Sequence, residues 1–94
     1  MSHEEHEEAA VEIVRAEHVA RLLSTQNGDP VLVVHEGRAD VVDEADLDGP
    51  RYAGALRVIG RADLLEERGG ARPGPEETEA LARRLDTAVQ GLGG

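Results

Sequence analysis

The stretch VLVVHEGRADVV, residues 31–42, decides how the rest of the chain is read. Two runs rich in aliphatic residues, Val31–His35 and Arg38–Val42, flank Glu36-Gly37. A two-residue connection with glycine available for positive φ is the signature of a tight β-hairpin. Such a turn sets Val34 opposite Ala39 and Leu32 opposite Val41. One face of the hairpin then carries Leu32, Val34, Ala39 and Val41, all apolar. The other carries Val31, Val33, His35, Arg38, Asp40 and Val42, which is mixed. Turn chemistry and hydrophobic pattern select the same register, so the hairpin is the anchor of the fold.

Toward the C-terminus, Asp43–Pro50 (DEADLDGP) reads as an acidic, turn-rich loop. Tyr52–Gly60 follows as a third strand, with Leu56 and Val58 alternating against Arg57 and Ile59, and Arg57 placed to pair with an acidic neighbour. Ala62–Arg68 predicts a short helical turn and Gly69–Gly74 a connector. Residues 75–91 predict a helix. Pro75 suits its first position, Glu76, Glu77 and Glu79 suit the positive end of its dipole, and Gly91 ends it. Its buried stripe is Leu81, Leu85, Ala88, Val89 and Leu92.

Toward the N-terminus, the β-branched run Val11–Val14 predicts a short strand ahead of a helix over about 16–26. One amphipathic helix over the whole segment is the alternative, with Ile13 on its polar side. Asn27-Gly28-Asp29-Pro30 ends the helix. The expected fold is therefore α+β: a small two-layer sandwich in which a mixed three- to four-stranded sheet, centred on the hairpin, is packed by helices 16–26 and 75–91. Residues 10–92 form one domain between an acidic disordered tail, 1–9, and a flexible end, 93–94.

Composition narrows the function. Twenty acidic residues against ten basic ones give a formal charge of −10, and every basic residue is Arg. Nucleic acid and anionic membranes are bound through excess positive charge, so neither is an expected partner. Cysteine is absent, which removes disulfides, thiolate metal sites and thiol catalysis. No run of residues is long and apolar enough to span a bilayer, and no signal-peptide pattern opens the chain, so a cytoplasmic location is expected. With no Phe, no Trp and a single Tyr, the core must be built from 22 Leu, Val and Ile residues. An enclosed catalytic cleft with aromatic lining is not expected, and no cofactor is implied.

Several residues are candidates for binding. The mixed hairpin face offers Val31, Val33, His35 and Arg38 to a partner, since one layer of helices covers only one side of a sheet. Arg51 and Tyr52 suit an interaction hot spot, although Tyr52 is also the largest core residue available. Glu44-x-Asp46-x-Asp48-Gly49 resembles the first half of a calcium-binding loop, which implies weak divalent-cation binding. His3-x-x-His6, amid the Glu residues of the tail, is a weak transition-metal candidate.

Two resemblances to known families are present. The terminal Gly93-Gly94 resembles the tail of ubiquitin-like modifiers and sulfur carriers, and implies activation at the Gly94 carboxylate. Those families place a strand before the tail, where this sequence places a helix. The succession Ile13–Leu23, Gly28–Val34 and Ala53–Val58 resembles the opening half of a rhodanese domain, a strand, a helix, a buried strand and a Gly-Ala turn. The sulfur-accepting cysteine is missing, so that resemblance implies an inactive relic. The expectation that emerges is a non-enzymatic protein-interaction or regulatory module, self-associating as a weak homodimer. The carrier and the cation binder are the alternatives.

Overall fold

The computed structural model describes residues 12–93. It is an α+β fold. In chain order the elements are α1 (Ala16–Ser24), β1 (Pro30–His35), β2 (Arg38–Asp43), two short 3-10 turns (Glu44–Asp48 and Pro50–Tyr52), β3 (Leu56–Gly60), α2 (Arg61–Glu67) and α3 (Pro75–Gly93).

The hairpin forms in the register its sequence dictates: Leu32 faces Val41, Val34 faces Ala39, and the pairing runs from Pro30↔Asp43 to His35↔Arg38. Both turn residues take positive φ, Glu36 at 55° and Gly37 at 80°. That is the backbone twist a two-residue hairpin turn requires, and it holds a non-glycine residue in the left-handed region. β3 adds to the other side of β1, also antiparallel, giving the strand order β2-β1-β3. The sheet is thus three-stranded and antiparallel, not mixed.

The fourth strand expected at Val11–Val14 is not formed over Glu12–Val14, and Val11 lies outside the described residues. The reason is a competing acceptor. The Ile13 and Val14 N–H groups donate to Oδ1 of Asp86 on α3, at 2.7 and 2.9 Å. A strand would need a neighbouring backbone for those donors, and here one buried carboxylate replaces it.

α1 packs on β1, β2 and α3, while α2 packs on β3 and β1. Val19, Leu22 and Leu23 of α1 meet Leu32, Leu64 of α2, and Leu81, Ala82, Leu85 and Val89 of α3 in the main core. α3 lies mainly against α1, so α1 and α2 make the layer next to the sheet. The α3 stripe is shifted from the one expected: Leu81, Ala82, Leu85, Asp86 and Val89 are buried, whereas Ala88 is exposed and Leu92 is 73% exposed. The helix continues through Gly91 to Gly93.

The ends of α1 are held by side-chain hydrogen bonds, from within the helix at its start and from other elements at its end. His18 Nδ1 accepts the Arg15 N–H at its N-terminus, 2.9 Å. At its C-terminus Arg72 donates to the Leu23 carbonyl at 3.1 Å, and Arg61 donates to the Thr25 and Gly28 carbonyls. Arginine forks thus satisfy acceptors that the ending helix leaves open.

The opposite face of the sheet is covered as well. Because β1 lies between β2 and β3, the connection from β2 to β3 must cross it. The crossing segment carries Leu47, Tyr52 and Ala55 onto Val31, Val33 and Val42, forming a second small core. The molecule is therefore more than a two-layer sandwich: helices cover one face and the crossover covers the other.

Candidate interaction surface

Burial under the crossover changes the standing of the hairpin candidates. Val31 is 1% exposed and Val33 is fully buried, so neither is available to a partner. The apolar surplus that suggested self-association through this face is consumed within the chain itself.

The other four candidates are brought together. His35 ends β1 on the crossover side, Arg38 opens β2 directly opposite it, and the second 3-10 turn delivers Arg51 and Tyr52 to the same end of the sheet. Tyr52 is half-buried. Its ring packs over the Val31–Val33–Val42 cluster and meets the His35 imidazole edge-on, with centroids 5.5 Å apart and planes at 61°. The Arg51 guanidinium lies 5.7 Å from the Tyr52 ring centroid, within cation–π range. Tyr52 thus serves as a core residue on its lower side, while its upper side remains exposed at the rim. Together with Glu36, Ala39 and Asp40, these four residues line an open depression of about 420 Å³.

The charge on this surface is arranged unevenly. Asp40 is engaged by Arg21 at 3.7 Å, and its Oδ1 also accepts the Val41 N–H at 2.8 Å. Arg38 and Arg51 are exposed and have no carboxylate partner among the described residues.

The acidic loop behaves differently from a cation site. Glu44–Asp48 winds into a 3-10 turn. Glu44 is taken by Arg57, whose Nη2 lies 2.7 Å from Oε1. A β-bulge explains the pairing. Leu32 faces Ile59 while Val33 faces Arg57, so Val58 is the extra residue, and Arg57 is turned to the crossover side where Glu44 stands. The bond to Glu44 holds the Arg57 guanidinium above its ordinary pKa. Glu44, Asp46 and Asp48 do not converge, and among the described residues no three His, Asp or Glu groups are gathered as a metal site.

A second open depression, about 470 Å³, lies along β3 and α2 between Arg57, Asp63, Glu66 and Glu67. Gly93 closes α3, and Gly94, His3 and His6 lie outside the described residues.

Two further residues organise much of this geometry: Asp86, which reading the sequence did not single out, and Gly28, which it placed at the end of the first helix. Asp86 is 8% exposed and joins the N-terminal segment to α3. A carboxylate inside the repeat Leu81–Leu85–Val89 was the available sign of it. Gly28 has φ +68° and packs so closely on Asp43 that a Cβ there would fall 2.5 Å from Asp43 Oδ1. That oxygen accepts the Asp29 N–H at 2.8 Å and fixes the entry to β1.

No protein-family model, no curated protein and no solved structure matches this chain.

Proposed function

We propose that the chain is a non-enzymatic protein-interaction module of a regulatory kind, and that its contact surface is the end of the sheet bearing His35, Arg38, Arg51 and Tyr52. The supporting observation is their convergence. Residues from two separate stretches of sequence, 35–40 and 51–52, meet around one depression, with Tyr52 anchored below and neither arginine paired with a carboxylate among the described residues. Interface hot spots favour this combination, an aromatic and arginine side chains set beside a desolvated apolar base.

Val31 and Val33, buried beneath the crossover, are not part of this contact surface. The surface is tested by quantitative affinity capture from the native cell, comparing the full chain with Arg51→Ala and Tyr52→Leu variants whose amide spectra confirm folding. A specific partner retained by the parent and lost by both variants is the expected result. Identical capture by all three proteins would remove this surface from the proposal.

A further inference from the structure

The arginines of this chain are unequally used. Arg21, Arg57, Arg68 and Arg84 sit in ion pairs, and Arg61 and Arg72 donate to backbone carbonyls. In a chain with twice as many acids as bases, carboxylate partners are abundant. Among the described residues Arg15, Arg38, Arg51 and Arg83 have no carboxylate partner, and of these Arg38 and Arg51 line the same depression. Asp40, which lines the same depression from β2, is already engaged by Arg21. Counting that pair as neutral, the depression carries a small excess of positive charge on a molecule of charge −10.

We propose that this depression is a receptor for an anionic side chain, carboxylate or phosphate, presented on a short peptide segment of the partner. The inference rests on the interaction reading above and specifies its chemistry. A guanidinium presents a planar fork of donors matched to the oxygens of a carboxylate or phosphate. Arg51 is set against the Tyr52 ring, so less freedom is lost when it engages a ligand. His35 adds an imidazole N–H donor on the same wall. Glu36, on the turn, stands at the rim and selects against a ligand whose negative charge extends past the pocket.

The size of the ligand follows from the charge of the whole molecule. At physiological ionic strength charges are screened beyond about 8 Å. A single anionic side chain in the depression therefore feels mostly its immediate walls. A nucleic acid or an anionic membrane would extend over the acidic remainder of the surface and be repelled. A compact anion on a peptide is the class that fits.

The test is a titration of the isotope-labelled full chain, followed by backbone amide and Arg side-chain resonances. Three synthetic peptides share a Gly-Ser background and carry two Glu, one phosphoserine, or two Gln. Saturable shifts confined to residues 35–40 and 51–52, given by at least one anionic peptide and not by the Gln peptide, are expected. The stronger of the Glu and phosphoserine responses identifies the source of the anion. Arg38→Ala and Arg51→Ala are each expected to weaken binding by up to about fivefold, the upper end for an exposed charge pair, and Arg51→Lys to recover part of the loss. Equal responses to anionic and Gln peptides would overturn the proposal, as would unchanged binding to the Arg38→Ala/Arg51→Ala double variant. The two readings separate cleanly. A captured partner lost with Tyr52→Leu but kept by the double variant leaves the interaction surface standing and removes the anion receptor. Peptide binding that meets every criterion, with a partner captured equally by the parent, Arg51→Ala and Tyr52→Leu, leaves the anion site standing and removes this surface as the partner's docking site.

Discussion

Asp86→Ala is the most informative single change to the fold. The carboxylate is 8% exposed, and Oδ1 accepts two backbone N–H groups from residues more than seventy positions away. Its Oδ2 accepts from Gln90 Nε2 at 2.8 Å. Hydrogen bonds to a charged acceptor contribute about 1.5–3 kcal/mol each. Two backbone bonds at the lower end of that range give about 3 kcal/mol. The loss is not recovered by hydration, because Val14 is 1% exposed and its N–H would be left buried without an acceptor. For a domain of this size, about 3 kcal/mol lowers Tm by about 12–24 °C. Urea denaturation with thermal melting measures the change, and Asp86→Asn, which retains one acceptor oxygen, is expected to lose about half as much. Amide exchange adds a local readout, with the Val14 N–H passing from protected to fast in the Ala variant. A loss below about 0.5 kcal/mol, the level typical of inconsequential surface changes, with Val14 still protected, would refute the assignment of Asp86 as the acceptor that replaces a fourth strand.

Other substitutions follow from the same geometry. Gly28→Ala is expected to destabilise by about 2 kcal/mol or more, combining left-handed strain with displacement of Asp43, whereas Gly54→Ala meets open space and bears the strain alone, about 1 kcal/mol; paired urea curves measure the difference. Glu36→Asn relieves the positive φ of a non-glycine turn residue and is expected to stabilise the hairpin by about 0.5–1 kcal/mol, read from the denaturation midpoint. Val33→Thr sets a hydroxyl in the fully buried cluster beneath Tyr52 and is expected to cost about 1–3 kcal/mol; unchanged stability with altered light scattering would instead revive self-association through that face. Glu77 accepts the Gly74 N–H and is paired with Arg68, and these hold its carboxyl below the ordinary 4.5. Its contribution is therefore present above that value and lost as pH falls through the lower folded pKa. Melting curves should show Glu77→Gln less stable than the parent at neutral pH and the two converging in acid; a pH-independent gap would contradict the pairing.

What could be read from sequence alone was what local signals over-determine. Turn residues and alternation both specified the hairpin, so its register could be read residue by residue. The positions of α1 and α3 followed from spacing and breakers. The strand at Val11–Val14 failed because β-branched propensity is a local preference, while the backbone donors of Ile13 and Val14 are met by Asp86 from the far end of the sequence. α3 was placed correctly but its buried face was shifted by the same residue, since a carboxylate does not score as core. Arg57 was expected to find an acidic neighbour, yet which one depended on a bulge at Val58 that no composition signal announces.

The hairpin face was misread for a topological reason, and that reason also builds the candidate surface. Strand order β2-β1-β3 obliges the connection between β2 and β3 to pass over β1. Helices α1 and α2 occupy one side, so the crossing takes the other. A segment written as an acidic loop then acts as a lid, and its few apolar residues, Leu47, Tyr52 and Ala55, are spent on Val31, Val33 and Val42. The same crossing must descend to the start of β3, and in doing so it sets Arg51 and Tyr52 beside His35, across from Arg38. Burial of the valines and assembly of the surface are thus two consequences of one chain path. Val31 and Val33 influence binding only by seating Tyr52, so a substitution there should change affinity in proportion to how far it loosens the lid, while Arg38 and Arg51 should change affinity with the lid intact.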